Sequence, residues 1–337
     1  MQILQDVSLQ SHNTFGLDVR AQHWITITTA EQLQALLRDP DYRSLPKLVL
    51  GGGSNVLFTQ DFKGLLIKMA IPGTNVVEED EAQAWVRVGA GVDWHALVMH
   101  CIALGYGGIE NLSLIPGTVG AAPLQNIGAY GVEIKDVFAS LEAVEVATGD
   151  QRTFELADCH FGYRSSVFKH ELKGQYIITS VTFRLQKHPV VNTSYGAITE
   201  TLSRKGVAAP TIRDVSEAVI DIRRSKLPDP QQIGNAGSFF KNPVIPRAQY
   251  EALLTDYPTL PGYPTDDAVK VPAGWLIEQC GWKGKRLGNV GVHNQQALVL
   301  VHFGGGKGHA LVTLAQEIKA SVLQKFGINI EPEVNMI

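Results

Sequence analysis

The sequence predicts an α+β protein with discontinuous domains, and three observations lead there. The first third alternates helix-period and strand-period segments, the middle third turns β-rich, and an apolar-alternating segment at the very end, 329–334, reads as a strand that must join a sheet built earlier in the chain. At 337 residues, two or three domains are expected. Apolar residues at 45% and charged residues at 18% place the chain among globular rather than disordered sequences.

In chain order, a helix is expected from Thr29, with Gln32 spaced to close a capping box and Leu33, Leu36 and Leu37 on one face. A short apolar strand, 47–50, runs into Gly51-Gly52-Gly53-Ser54-Asn55. A strand at 84–88 precedes a helix capped by Asp93, with Trp94, Leu97, Val98, Cys101 and Ile102 on its buried stripe and Gly105 at its end. Segments 141–146 and 151–156 flank Thr148-Gly149-Asp150 as a hairpin, and 176–185 alternates as a half-buried strand should. Helices follow near 196–204 and 215–224. Leu227-Pro228-Asp229-Pro230 then breaks regular structure and marks a domain boundary. Beyond it come a glycine-containing loop, a helix near 274–280, a strand at 297–302 and a long amphipathic helix at 309–326. The last segment could return to the middle of the chain rather than stay with the residues before it.

A net charge of −4 with no basic run disfavours nucleic acid as a partner, since backbone phosphates demand concentrated positive charge. No segment reaches the ~20 apolar residues needed to span a bilayer, and no signal-peptide core opens the chain. Cys101, Cys159 and Cys280 are odd in number and widely spaced, which fits a reducing, cytoplasmic compartment and gives neither a disulfide framework nor a zinc site. No HxH or HExxH occurs, so no metal is expected.

Chemistry concentrates in a few segments. Gly51–Asn55 follows a strand and reads either as a phosphate-approaching loop or as a tight turn; it has neither GxGxxG spacing nor a GK[ST] ending. The stretch from Ile115 through Pro116, Gly117, Thr118, Gly120, Ala121, Asn126 and Gly128 to Gly131 is too rich in small residues for an ordinary core element. It suits a backbone wall laid against a flat or phosphorylated ligand, with an ordinary long loop as the competing reading. Two such walls suggest one extended diphosphate ligand, which FAD satisfies as other dinucleotides do. Arg164, among aromatic and apolar neighbours, calls for an anion or a structural ion pair. Ser238 lies between Gly237 and two phenylalanines with no nucleophile elbow around it, which suits proton donation in a dry site, or a loop serine satisfied by backbone. Strand alternation would turn Glu333 to the same face as Glu331. The glycines at 304–306 and 308 read as a helix-entry turn.

Together these segments resemble the UDP-N-acetylenolpyruvoylglucosamine reductase family, flavoenzymes of bacterial peptidoglycan precursor synthesis. The resemblance runs from Asn13-Thr14-Phe15-Gly16 through GGGSN at 51–55, IPGTVGAAPLQNIGAYG at 115–131, FGYRSSVFK at 161–169, KLPDP at 226–230, NAGSFFKNP at 235–243, AGWLIEQCGWKG at 273–284 and VHNQQAL at 292–298 to EPEV at 331–334. Tyr195 and the Tyr263 region are similar to the longer subtype, in which a tyrosine loop closes over substrate. The chain ends four residues after Glu333, which leads us to expect a less ordered terminal strand.

The resemblance implies a two-part FAD-binding region of the PCMH-like superfamily, 1–70 and 71–227, the latter completed by 327–337, and a smaller α+β substrate-binding domain at 228–326. It implies non-covalent FAD, NADPH as co-substrate and UDP-N-acetylglucosamine enolpyruvate as the substrate reduced to UDP-N-acetylmuramate, by a monomeric enzyme. Carried onto this sequence, Ser238 donates the proton, and Arg164 and Glu333 stabilise the enolic substrate carboxyl. Gly51 to Asn55, the 116–128 wall and Arg223 contact flavin. Tyr195, Lys226, Asn242, Tyr263, Lys283 and Gln296 line the sugar-nucleotide site, with surface lysine and satisfied polar residue as the competing readings of Lys283 and Gln296.

The chemistry agrees with those roles. Hydride adds to an enol ether readily only when charge on the carboxylate is stabilised, which an arginine or a neutral glutamic acid can do. Serine donates a proton only to a strongly basic intermediate. A flavin oxidase of the same superfamily and a catalytically silent sugar-nucleotide binding protein are the alternatives. No cysteine or histidine lies in either glycine wall to tether flavin, and Arg164, Ser238 and Glu333 all stand in their motifs.

Overall fold

The computed structural model describes residues 2–337 and divides into two units. One holds the residues up to Val7 with Ala21–Gly52 and Phe62–Ser225; the other holds Ser8–Arg20, Gly53–Asp61 and Lys226–Ile337.

The first unit is built on two sheets. Arg20–Ile27, Phe62–Met69 and Lys47–Leu50 pair in parallel, with Leu4–Ser8 at the edge. Parallel neighbours need a crossover, and helix Ala30–Arg38 lies in it. Thr29 caps that helix by accepting the Gln32 N–H at 3.2 Å. The reciprocal half of the capping box is shifted by one residue, because the Gln32 side chain accepts from the Thr28 N–H at 2.9 Å and not from Thr29. Leu33, Leu36 and Leu37 are buried, and they share a core with Ile25, Ile27, Leu65 and Ile67 and with Val144 and Ile177 of the second sheet.

That second sheet is antiparallel, in the order Gln151–Glu155, Phe138–Glu145, Tyr176–Gln186, Gln83–Gly89, Thr74–Glu79. Tyr176–Gln186 is its central strand and is covered on both faces rather than half-buried. Its polar positions survive burial because they bond to the neighbouring strand: Thr179 Oγ1 donates to the Glu142 carbonyl at 3.1 Å and Ser180 Oγ to the Glu142 carboxylate at 2.9 Å. Helix Trp94–Ala103, capped by Asp93, buries the expected stripe against this sheet. Helices Gly196–Arg204 and Ile212–Lys226 pack on each other through Ile198, Leu202, Val215 and Val219, with Tyr130 at the margin.

In the second unit an antiparallel sheet runs Gly234–Ser238, Val299–His302, Val290–Val292, Arg286–Leu287. A smaller sheet joins Val244–Pro246, Ala268–Lys270 and Tyr263–Pro264. Helix Gly308–Phe326 buries Leu311, Leu314, Ile318, Val322 and Phe326, each worth about 1.5–3 kcal/mol of transfer from water, and stops at Gly327 in the left-handed conformation. The glycines before it form a helix-entry turn, with Lys307 at the N-cap.

Two boundaries depart from expectation. No unit boundary falls at residue 70, because the two sheets of the first unit share one core. The segment 327–337 does not complete the 71–227 region: Ile328, Ile330 and Val334 belong to the core of Phe239, Leu300 and Leu314, in the unit that holds 226–337. The terminal strand is also shorter and later than 329–334. Pro332 bridges Phe240, and only Asn335–Met336 forms a strand, parallel to Val56–Leu57.

Candidate active site

The first unit brings the two glycine-rich stretches together. A Cβ placed on Gly51 would stand 2.3 Å from Thr118 Oγ1, and one on Gly52 would stand 3.0 Å from the Cα of Gly117. Gly52 thus lies against the Gly117 backbone with no side chain between them, while the obstacle at Gly51 is the Thr118 hydroxyl. Gly51 follows strand Lys47–Leu50, and its carbonyl accepts from the ammonium of Lys68 on the neighbouring strand; burial lowers the Lys68 pKa. The partner stretch is held by helix Trp94–Ala103 and the residues before it. Gly117 O accepts the Trp94 N–H at 3.0 Å, Val119 N donates to Val92 O at 2.9 Å, and Gly120 N to Ala90 O at 2.9 Å. The stretch is less irregular than its composition suggests, since Val119–Gln125 forms a 3-10 helix whose Val119, Ala122 and Pro123 are buried.

Asn126 ends that helix with φ +45° and has no exposed surface. Its amide donates to the Glu133 carboxylate at 2.8 Å and to Gly162 O at 3.0 Å, and its oxygen accepts the Lys135 N–H at 3.2 Å. It therefore ties the stretch to the Arg164 loop, which makes it a positioning residue here.

Arg164 takes a left-handed φ of +53° and donates from Nη2 to Gly128 O at 2.7 Å, with its guanidinium 5.6 Å from the Tyr163 ring centroid. Arg223 projects from helix Ile212–Lys226 and donates from Nε to Leu114 O at 3.2 Å. Burial lowers the Arg223 pKa, Tyr130 raises it, and the Arg164 charge lowers it again. Tyr130 is raised in turn, chiefly by burial, and meets Tyr195 edge-on at 5.1 Å between ring centroids. Two guanidinium groups thus influence each other beside the glycine-rich stretch, a setting that suits an anion and an aromatic ligand plane.

The second unit holds Gly53, Ser54 and Asn55 together with Ser238 and Glu333. Gly53 has φ +66°, and a Cβ there would lie 2.0 Å from His12 O. Asn55 Nδ2 donates to Glu333 O at 3.3 Å, and Glu333 N donates to Phe239 O at 2.8 Å, so Glu333 is pinned beside the residue that follows Ser238. Glu331 does not share its surroundings: Glu333 is half-buried, whereas Glu331 is exposed at 4.0 Å from Lys241 Nζ. Ser238 is exposed rather than dry. The strand shifts register between Asn235 and Ser238, with Gly237 at φ +67°, and the serine at its end faces outward.

Several of the six sugar-nucleotide candidates already serve the fold. Asn242 Oδ1 accepts the Ala273 N–H at 2.9 Å at the start of helix Ala273–Gln279, Lys283 pairs with Glu278 at 2.9 Å, and Gln296 Oε1 accepts the Leu298 N–H at 3.3 Å. Lys226 and Tyr263 are exposed, and Tyr195 stands at the N-cap of helix Gly196–Arg204. Sequence reasoning missed Lys68, His95 and Tyr130. Only Tyr130 carried a usable signal, as the one large polar ring in a run of small residues.

Comparison with known proteins agrees with this architecture. A family model described as the UDP-N-acetylenolpyruvoylglucosamine reductase C-terminal domain matches residues 229–337, and an FAD binding domain matches 21–155. The chain is 52% identical to a UDP-N-acetylenolpyruvoylglucosamine reductase of Amoebophilus asiaticus over 100% of both chains. It is 51% identical to that of Chromobacterium violaceum, over 99% of this chain and 98% of that one. Among solved structures it superposes on the reductase of Thermus caldophilus with a TM-score of 0.70 at 23% identity, covering 100% of this chain and 99% of that one. A 6-hydroxy-D-nicotine oxidase of Arthrobacter nicotinovorans shares the fold at a TM-score of 0.54 and 14% identity, over 97% and 86% of the two chains. The fold is thus α+β, with an FAD-binding domain and a second α+β part. Full-length identity of about half, together with two glycine-rich stretches packed against each other, supports one conclusion: the chain belongs to the UDP-N-acetylenolpyruvoylglucosamine reductase family.

Proposed function

We propose that the chain is the FAD-dependent reductase that converts UDP-N-acetylglucosamine enolpyruvate to UDP-N-acetylmuramate with NADPH as electron donor, in the cytoplasm and as a monomer. The observation that carries this reading is the approach of Gly51 and Gly52 to Thr118 and Gly117, a cradle that any Cβ would fill and that suits a dinucleotide diphosphate. Gly51 to Asn55, residues 116–121, Gly128 and Arg223 hold the cofactor, with Asn126 acting through the loop it braces. When bound there, FAD would supply hydride-transfer chemistry between NADPH and the methylene carbon of the enolpyruvyl group. The Ser238 hydroxyl gives the proton to the adjoining carbon. Its exposure lets substrate reach it, and the bound substrate itself excludes water. Arg164 and Glu333 act on the substrate carboxyl, where charge develops as the double bond is lost. Lys226 and Lys283 serve the diphosphate as point charges, with Lys283 first leaving its exposed pair with Glu278. Tyr195, Asn242, Tyr263 and Gln296 complete the sugar-nucleotide contacts. Most of the flavin-binding residues belong to the first unit, and most of the sugar-nucleotide residues to Lys226–Ile337.

Cys101 and Cys159 are free and buried, and burial pushes their thiols up to about 12. No helix among the described residues is long and apolar enough to cross a membrane.

The test is anaerobic absorbance of the purified protein. Its yellow colour should bleach on adding NADPH and return on adding the enolpyruvyl sugar nucleotide. Colour that persists under NADPH favours the oxidase, and a colourless protein that binds a uridine nucleotide favours the silent binding protein.

A further inference from the structure

The start of helix Trp94–Ala103 grips the chain just before the second glycine-rich stretch. The Trp94 indole donates to Leu112 O at 2.9 Å, and the Trp94 backbone N–H donates to Gly117 O at 3.0 Å. Between these two anchors, the Leu114 N–H donates to Nδ1 of His95 at 3.0 Å. Leu114 has φ +58°, a left-handed conformation that a leucine keeps only when its surroundings hold it. Its carbonyl is the group that accepts Nε of Arg223. One histidine nitrogen therefore secures a strained residue whose two peptide groups face a helix start on one side and a flavin-site arginine on the other.

We propose that His95 is a positioning residue of the flavin site: its Nδ1 fixes Leu114, and Leu114 in turn sets the Arg223 guanidinium and the backbone at 115–118. This rests on the flavin-binding role given above to Arg223 and residues 116–121. The bond requires a neutral ring with its proton on Nε2. An imidazolium carries N–H at both nitrogens and would turn a donor toward the Leu114 N–H. Burial lowers the His95 pKa from 6.5; Asp93, at the N-cap of its own helix, opposes that, and Arg224 and Arg223 on helix Ile212–Lys226 reinforce it. The ring is thus neutral and accepting at neutral pH. As pH falls through its lowered pKa, the ring gains a proton, loses Leu114 and sets a new positive charge near Arg223.

FAD titrations of the parent protein, His95→Leu and His95→Asn, followed by flavin fluorescence from about pH 8 down to about pH 5.5, test this. At the upper end His95→Leu should bind FAD about tenfold more weakly, the effect of one buried donor left without an acceptor. His95→Asn, whose Oδ1 can stand where Nδ1 stands, should remain within about twofold of the parent. On acidification the parent should weaken while His95→Asn stays flat. Equal affinities of all three proteins at every pH, or His95→Asn as weak as His95→Leu, would overturn the inference. Should His95→Leu not fold, the nitrogen shifts of 15N-histidine in the parent holoenzyme decide instead: a ring protonated on Nδ1 at neutral pH overturns it, and one protonated on Nε2 supports it. A parent protein that binds no FAD at any pH would remove the flavin reading itself, a failure distinct from all of these.

Discussion

Replacing Gly51 with alanine perturbs the two glycine-rich stretches at their closest approach. The new methyl would lie 2.3 Å from Thr118 Oγ1, roughly 1 Å inside ordinary contact, while its next neighbours, Thr118 Cβ at 3.5 Å and Ala121 Cβ at 3.7 Å, are comfortable. Rotation of Thr118 about χ1 would relieve part of the overlap; otherwise the 116–121 backbone must move. These two responses bracket the cost at about 1–3 kcal/mol. The obstacle is one side-chain atom, so Thr118→Ala should remove it, and Gly51→Ala/Thr118→Ala should recover most of the loss as a coupling of about 1–2 kcal/mol. Urea unfolding of the four proteins without cofactor measures this free of any catalytic assumption. FAD titration of the same set adds a second readout: Gly51→Ala should bind about ten- to a hundredfold more weakly if the displaced backbone loses one N–H to phosphate. A Gly51→Ala protein that unfolds at the parent's urea concentration, or a double variant with no coupling, would refute the packing of the two stretches.

Three further outcomes follow from the geometry. Ser238→Ala should leave flavin reduction by NADPH near normal and slow reoxidation by the enolpyruvyl substrate about 10²–10⁴-fold; rapid-mixing absorbance of both half-reactions checks it, and equal slowing of the two removes Ser238 from the acid role. Asn126→Ala should cost about 1–3 kcal/mol in thermal or urea unfolding, since it removes the part-buried hydrogen bonds to Gly162 O and from Lys135 N and puts a Cβ-only side chain in a left-handed position. Iodoacetamide near neutral pH should label Cys280 well before Cys101 and Cys159. The folded pKa of those two lies at about 12 against an ordinary 9.0, so the folded chain keeps protons that the unfolded chain releases. Their contribution is therefore complete below 9.0 and lost as pH rises toward about 12, and urea midpoints across that window should fall more steeply in the parent than in Cys101→Val.

The helices were legible because their signals are local. Thr29 and Asp93 announce helix starts, and the Leu33, Leu36, Leu37 and Trp94, Leu97, Val98 patterns mark their buried faces, all of which depend on residues within two turns. The strand Tyr176–Gln186 was legible as a strand but not as the middle of a sheet. Burial of Thr179 and Ser180 depends on Glu142, 37 and 38 residues earlier in the chain. The strand at Phe62–Met69 has no distinctive signature in the sequence, because a short apolar run without alternation fits several structures.

By itself the sequence determined the α+β class, the break near Leu227, the two glycine-rich stretches and the order of motifs that fixes the family, since each is written in residue type and spacing. The tertiary structure decided what no spacing encodes. It set Gly51 and Gly52 against Thr118 and Gly117, pinned Glu333 beside Phe239, turned Ser238 outward, committed Asn126 to bracing a loop, and kept the terminal segment with the residues after Lys226. The reason is physical: local periodicity specifies which face of an element is apolar, whereas close approach, register and the satisfaction of buried polar groups arise only when distant segments compete for the same space.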